Sequence, residues 1–205
     1  MQLILLTPDN KIENEIAHIN QLFHQGLMRL HLRKYQLSEG ETRDYIHQID
    51  SAFHSRIVIH SHFHLFQELG LGGIHLNSYT RNDEKAMELI KDIQPRYIST
   101  SFHSWQEIEK NEVDYNYVFI SPVFDSISKQ GYKAAIDLEE MLRVKNNIAS
   151  QNRRCSATIG LGGVSADNIK VLQEKGFDGG ALLGAVWNTS DPVSAFLKVQ
   201  SVLSH

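Results

Sequence analysis

A single cysteine, Cys155, is found among 205 residues. One thiol cannot close an internal disulfide, and a cysteine-based zinc site cannot be built from it. It stands beside an apolar run, so a buried, inert thiol is expected. The chain also lacks a basic excess: its formal net charge is -4, which argues against a nucleic-acid partner. No apolar run approaches the roughly 18 residues of a membrane span. The first residues have no basic start and too short an apolar run for a signal peptide. A cytoplasmic chain without a membrane partner is expected. Linkers, low-complexity tracts and charge runs are missing too, which leaves one domain over residues 1–205. What the chain does have is an ordinary globular share of apolar residues, 41%, and an unusual number of histidines, 11.

Short apolar runs alternate with stretches of helical period. Strands are expected at residues 2–6, 28–32, 56–59, 73–75, 96–100, 115–120, 155–159 and 180–183. Helices are expected at 11–25, 38–53, 63–69, 82–93, 104–110, 134–150, 165–175 and 192–203. Ser38 with Glu41 reads as a capping box. Strict alternation implies parallel strands joined by right-handed crossovers. Eight repeats in a chain of this length favour an α/β fold of the closed (β/α)8 TIM-barrel type over an open doubly wound sheet.

Barrels of this class place their chemistry at the C-terminal strand ends. There the second strand delivers His31 and Arg33, the third His60 and Ser61, and the fourth His75. The fifth delivers Ser101 and His103, and the sixth Ser121 with a long loop carrying Ser126, Ser128 and Lys129. The seventh delivers Gly162 and Gly163, the eighth Gly184 and Ala185. Glycines after the last two strands suit a phosphate, because backbone N–H groups can approach its oxygens closely. Arg33 and Lys129 are the cationic candidates. His31, His60, His75 and His103 are candidates for proton transfer. His54, His62 and His64 lie close together in sequence but share no Asp, Glu or Cys at ligand spacing, so no metal site is expected there.

These residues also resemble a known family. Leu30-His31-Leu32-Arg33, the run Leu69-Gly70-Leu71-Gly72-Gly73-Ile74-His75-Leu76, Ser101-Phe102-His103-Ser104 and Ser121-Pro122-Val123-Phe124 occur in the order and spacing of the thiamine-phosphate synthase and TenI family. So do Leu161–Val164 and Leu182–Val186, which are similar to that family's two phosphate loops. The resemblance implies a (β/α)8 barrel, usually a homodimer, binding a small phosphorylated thiazole at Gly162, Gly163, Gly184 and Ala185. It implies substrate contacts for Arg33, His75, Ser101, Ser126, Ser128 and Lys129. In the synthase, a magnesium-bound pyrimidine pyrophosphate ionises and the thiazole nitrogen captures the cation.

The chain departs from that pattern where the synthase carries its magnesium carboxylates. His60-Ser61 replaces an Asn-Asp, and Asn77, Ser78 and Tyr79 stand where a second Asp is expected. Tyr35 replaces a pyrophosphate-binding lysine, while Lys34 belongs to the other face of the strand. These losses favour a TenI-like thiazole tautomerase needing no cofactor, in which His31, His60 or His103 moves the proton. The strand-6 histidine of the tautomerase is replaced by Pro122. The alternatives are a synthase, the one reading that requires Mg2+, a non-catalytic binder of thiazole phosphate, and another phosphosugar-type barrel isomerase.

Overall fold

Residues 1–125 and 133–204 are described by the computed structural model. Their strands are β1 (Gln2–Leu6), β2 (Arg29–Leu32), β3 (Ile57–Ile59), β4 (Gly73–Leu76), β5 (Tyr97–Phe102), β6 (Tyr117–Ile120), β7 (Ala157–Leu161) and β8 (Gly179–Leu182). All are parallel where paired and close into a barrel in sequence order. The helices between them are α1 (Glu15–His24), α2 (Glu39–His47), α3 (Leu65–Glu68), α4 (Glu84–Ile93), α5 (Trp105–Lys110), α6 (Glu140–Ser150) and α7 (Ile169–Glu174). After β8 come α8 (Gly184–Trp187) and α9 (Pro192–Leu203). This is the (β/α)8 barrel that the alternation implies. No helix among the described residues is long and apolar enough to cross a membrane.

The chain divides into two compact units, one of Ile4–Thr100 and one of Met1–Leu3 with Ser101–His205. In the first, fully buried Leu5, Leu30, Ile57, Ile59 and Ile74 lie on one face of the strands and share a core with Ile19, Leu22, Phe23 and Ile46 from the helices, while Val58 is buried on the other face with His31. In the second, Val118, Ile120 and Leu182 do the same with Ile169, Leu172, Phe196 and Val199, while Phe119 and Ile159 are buried on the opposite face of the strands. Each large apolar side chain removed from water contributes about 1.5–3 kcal/mol, so these layers hold the strand ends in register.

Several helices start where their capping residues dictate. Ser38 and Glu41 form the expected capping box of α2, and Ser104 with Glu107 forms one on α5. Asp191 accepts from the Ser194 N–H beside Pro192 at the start of α9. Elsewhere hydrogen bonds from other segments override helical period. The helix expected over 38–53 stops at His47, because the Asn20 side chain accepts from the Asp50 N–H (2.9 Å) and donates to the Gln48 carbonyl (3.1 Å). A separate 3-10 turn then runs over Ser51–Arg56. The helix expected over 134–150 begins only at Glu140: Asp125 Oδ1 holds the Ala134 N–H, and the Pro122 carbonyl holds that of Ala135. The segment from 11 to 14 also stays out of α1, with Asn14 left-handed at its start. The short α8 has no capping side chain, and the sequence reading missed it.

Candidate functional site

Three strands of the Ile4–Thr100 unit bring three histidines together. His31 lies on β2 opposite Val58, and Ile59 on β3 is opposite Ile74. One residue beyond that last pair, the register sets His60 beside His75. Their rings stack with centroids 4.3 Å apart, and His31 Nδ1 shares a hydrogen bond of 2.9 Å with His60 Nε2. All three are buried, His31 completely. Two hydroxyls hold the outer nitrogens. Ser99, paired with His75 across β4 and β5, places its Oγ 2.9 Å from His75 Nδ1, and Tyr35 Oη lies 3.3 Å from His60 Nδ1. Burial pushes the three imidazoles below their ordinary range, His75 to about 3, aided by Arg33 at His60 and His75 and by His75 at His31 and His60. The cluster is neutral at physiological pH.

Sequence reasoning named each of these histidines as a separate strand-end residue and missed that they converge. Ser99 and Tyr35 were not recognised as their partners. Ser99 is a mid-strand serine with no local signal, and only the register reveals its role. Tyr35 was legible only as a lost lysine.

The other candidate residues of this unit have further partners. Arg33 forms an ion pair with Asp9 at 3.0 Å, and its backbone N–H donates to Thr7 Oγ1. Lys34 does face away from Arg33: its ammonium is buried on Glu15 at 2.8 Å and also donates to the Asn10 carbonyl. The histidines close in sequence have structural tasks. His54 reaches the carbonyls of Ile46, Ile49 and Leu69, His62 that of Leu37, and His64 pairs with Glu39. The acid partner of His64 comes from α2, outside its own stretch of sequence. Asn77 is also used locally, its Oδ1 accepting from the Tyr79 and Thr80 N–H groups.

In the unit of Met1–Leu3 and Ser101–His205, the candidate residues are mostly backbone turns. Gly162 and Gly163 follow β7 at φ of 98° and 65°. A Cβ on Gly163 would stand 2.2 Å from the Asp125 carbonyl oxygen, and one on Gly162 would meet Pro122 at 2.9 Å. The close approach of the loop after β6 thus requires glycine here as much as any anion does. Asn168 fastens the turn, donating to the Gly163 carbonyl and accepting from the Ser165 N–H. A hollow of about 610 Å³ opens beside Gly163, walled in part by Asp125 and Asp167. Gly184 and Ala185 open α8 and are half-buried.

Ser101 is half-buried on β5. His103 is exposed, its Nδ1 3.1 Å from the Ser121 carbonyl. The Ser121 hydroxyl lies 3.3 Å from the same nitrogen, so Nδ1 can donate to the carbonyl or accept from the hydroxyl. Cys155 is half-buried, and burial raises its thiol pKa, as an inert thiol requires. Ser126, Ser128 and Lys129 lie outside the described residues.

The family model described as thiamine monophosphate synthase matches residues 3–186. The chain belongs to the thiamine monophosphate synthase family. It is 24% identical over 184 residues to a thiamine-phosphate synthase of Desulfitobacterium hafniense, covering 88% of this chain and 85% of that protein. To the Bacillus licheniformis thiamine-phosphate synthase it is 23% identical, over 78% of this chain and 69% of the other. A solved thiamine phosphate pyrophosphorylase from Bacteroides thetaiotaomicron superposes with a TM-score of 0.76 at 28% identity, over 100% of this chain and 98% of that one.

Magnesium, which this family generally uses, is poorly served by the residues on β2, β3 and β4. The ion demands hard oxygen ligands in near-octahedral geometry. The converging groups are three imidazoles, with no carboxylate among them.

Proposed function

We propose that the chain is a thiamine-phosphate synthase, joining a hydroxymethylpyrimidine pyrophosphate to a thiazole phosphate. The observation that carries this reading is the family match across residues 3–186, with relatives that bear the synthase name. In the reaction the methylene C–O bond of the pyrimidine breaks, its electrons leave with the pyrophosphate, and the thiazole nitrogen lone pair forms the new C–N bond. The protein's task is to orient the two partners and to stabilise the departing charge. Arg33 supplies a cation for the pyrophosphate, and the backbone N–H groups of Gly162, Gly163, Gly184 and Ala185 hold the thiazole phosphate.

The tautomerase reading is weakened by the histidines themselves. A general base works best with a pKa near the working pH, and burial holds His31 and His60 well below it. Proton transfer would fall to His103, whose ring is exposed. One assay separates the two. The protein is incubated with both substrates, with magnesium or zinc, and thiamine phosphate is measured by chromatography. Product is expected. No product with either ion, together with isomerisation of the thiazole precursor that His103→Ala abolishes, would replace the synthase with a tautomerase.

A further inference from the structure

We propose that His31, His60 and His75 form a binding site for one transition-metal dication of the zinc class. The ligand nitrogens come from three adjacent strand ends and all lie within 4.8 Å of one another. Zinc–imidazole bonds of about 2.0–2.1 Å set the nitrogens of a tetrahedral site roughly 3.4 Å apart. The His31–His60 hydrogen bond, at 2.9 Å, is tighter than this, and the widest separation is bounded by 4.8 Å. Closing on one ion requires the rings to turn, His60 and His75 out of their stack. Imidazole nitrogen suits zinc, cobalt and related ions and is a poor ligand for magnesium.

The surroundings resemble the outer shell of a metal site more than a random polar pocket. Metal-bound histidines have their other ring nitrogen fixed by a hydrogen bond, which sets tautomer and orientation. Here Ser99 Oγ sits on His75 Nδ1 and Tyr35 Oη on His60 Nδ1. Binding through His60 Nε2 requires its hydrogen on Nδ1, where the Tyr35 oxygen can accept it. Arg33 acts electrostatically on both His60 and His75. A dication beside a guanidinium needs an anion between them, and a pyrophosphate oxygen would complete the coordination. The ion site stands on the geometry of the histidines alone, whereas this fourth ligand rests on the synthase reading.

The full chain, stripped with a chelator, is titrated with Co2+ and followed by its visible ligand-field bands. One Co2+ per chain is expected, with bands of tetrahedral intensity, displaced by Zn2+ and not by excess Mg2+. His60→Gln should abolish the bands. Should that variant fail to fold, Tyr35→Phe and Ser99→Ala keep all three imidazoles and are expected to weaken binding about 10–100-fold. Weak octahedral bands, displacement by Mg2+, or unchanged affinity in both hydroxyl variants would overturn the site. Inorganic pyrophosphate added to the Co2+ protein should shift the bands, and no shift would remove the proposed fourth ligand. A chain that makes thiamine phosphate without binding Co2+ sinks the metal site alone. One that binds Co2+ at these histidines and makes no product sinks the synthase reading alone.

Discussion

Between Ile4 and Thr100, the polar groups at the strand ends are buried side chains pressed against one another, three imidazoles and the hydroxyls that hold them. In the unit of Met1–Leu3 and Ser101–His205 they are turns of backbone at glycine, with an exposed histidine. The first unit is where the synthase's magnesium carboxylates and pyrophosphate lysine are replaced, and the second keeps the two glycine loops of the resemblance. Glycine turns tolerate little change, since Gly163 has no room for a Cβ. A side-chain cluster can be rebuilt in a different chemistry while the strands beneath it stay the same. Change of ligand set in one unit and retention of turns in the other is therefore what packing would permit.

Acid should separate the two units most strongly. The folded pKa values of His31, His60 and His75 all lie below their ordinary range, so the unfolded chain binds protons that the metal-free fold refuses. The stability they confer is complete above about pH 6.5 and is lost as the pH falls toward the folded values. For His75, at about 3, the full loss is on the order of 5 kcal/mol. Urea unfolding at about pH 7.5 and about pH 5.5 should show a clear drop. A flat profile would mean the cluster is not buried as described.

Lys34→Ala leaves Glu15 buried without its partner and is expected to cost about 3–5 kcal/mol. The double variant Lys34→Met with Glu15→Leu should recover most of that loss, and failure to recover would assign the effect to packing. Gly163→Ala forces a side chain into left-handed backbone against the Asp125 carbonyl and should cost about 2–4 kcal/mol. Denaturant midpoints within error of the parent would show that the turn relaxes freely. The smallest change is expected at exposed His103: His103→Ala should shift stability by no more than about 0.5 kcal/mol. A larger loss in thermal melts would give the ring a structural task.

The barrel was legible because alternating apolar runs and helical periods are local signals. Boundaries failed where hydrogen bonds from outside the helix intervene, as at Asn20 with Asp50 and Asp125 with Ala134. The site was legible as residues and illegible as an arrangement. His54, His62 and His64 are neighbours in sequence and serve three different local structures. His31, His60 and His75 are far apart in sequence and meet only because the strand register aligns them. Spacing within one segment carries no information about register between strands.

Calorimetric titration tests the central claim most directly. Thiazole phosphate should bind the metal-free protein, since its phosphate is assigned to backbone turns. The pyrimidine pyrophosphate should bind tightly with Zn2+ present and gain little from Mg2+. Tight pyrophosphate binding that needs Mg2+ and ignores Zn2+ would contradict the account and restore the ordinary magnesium site.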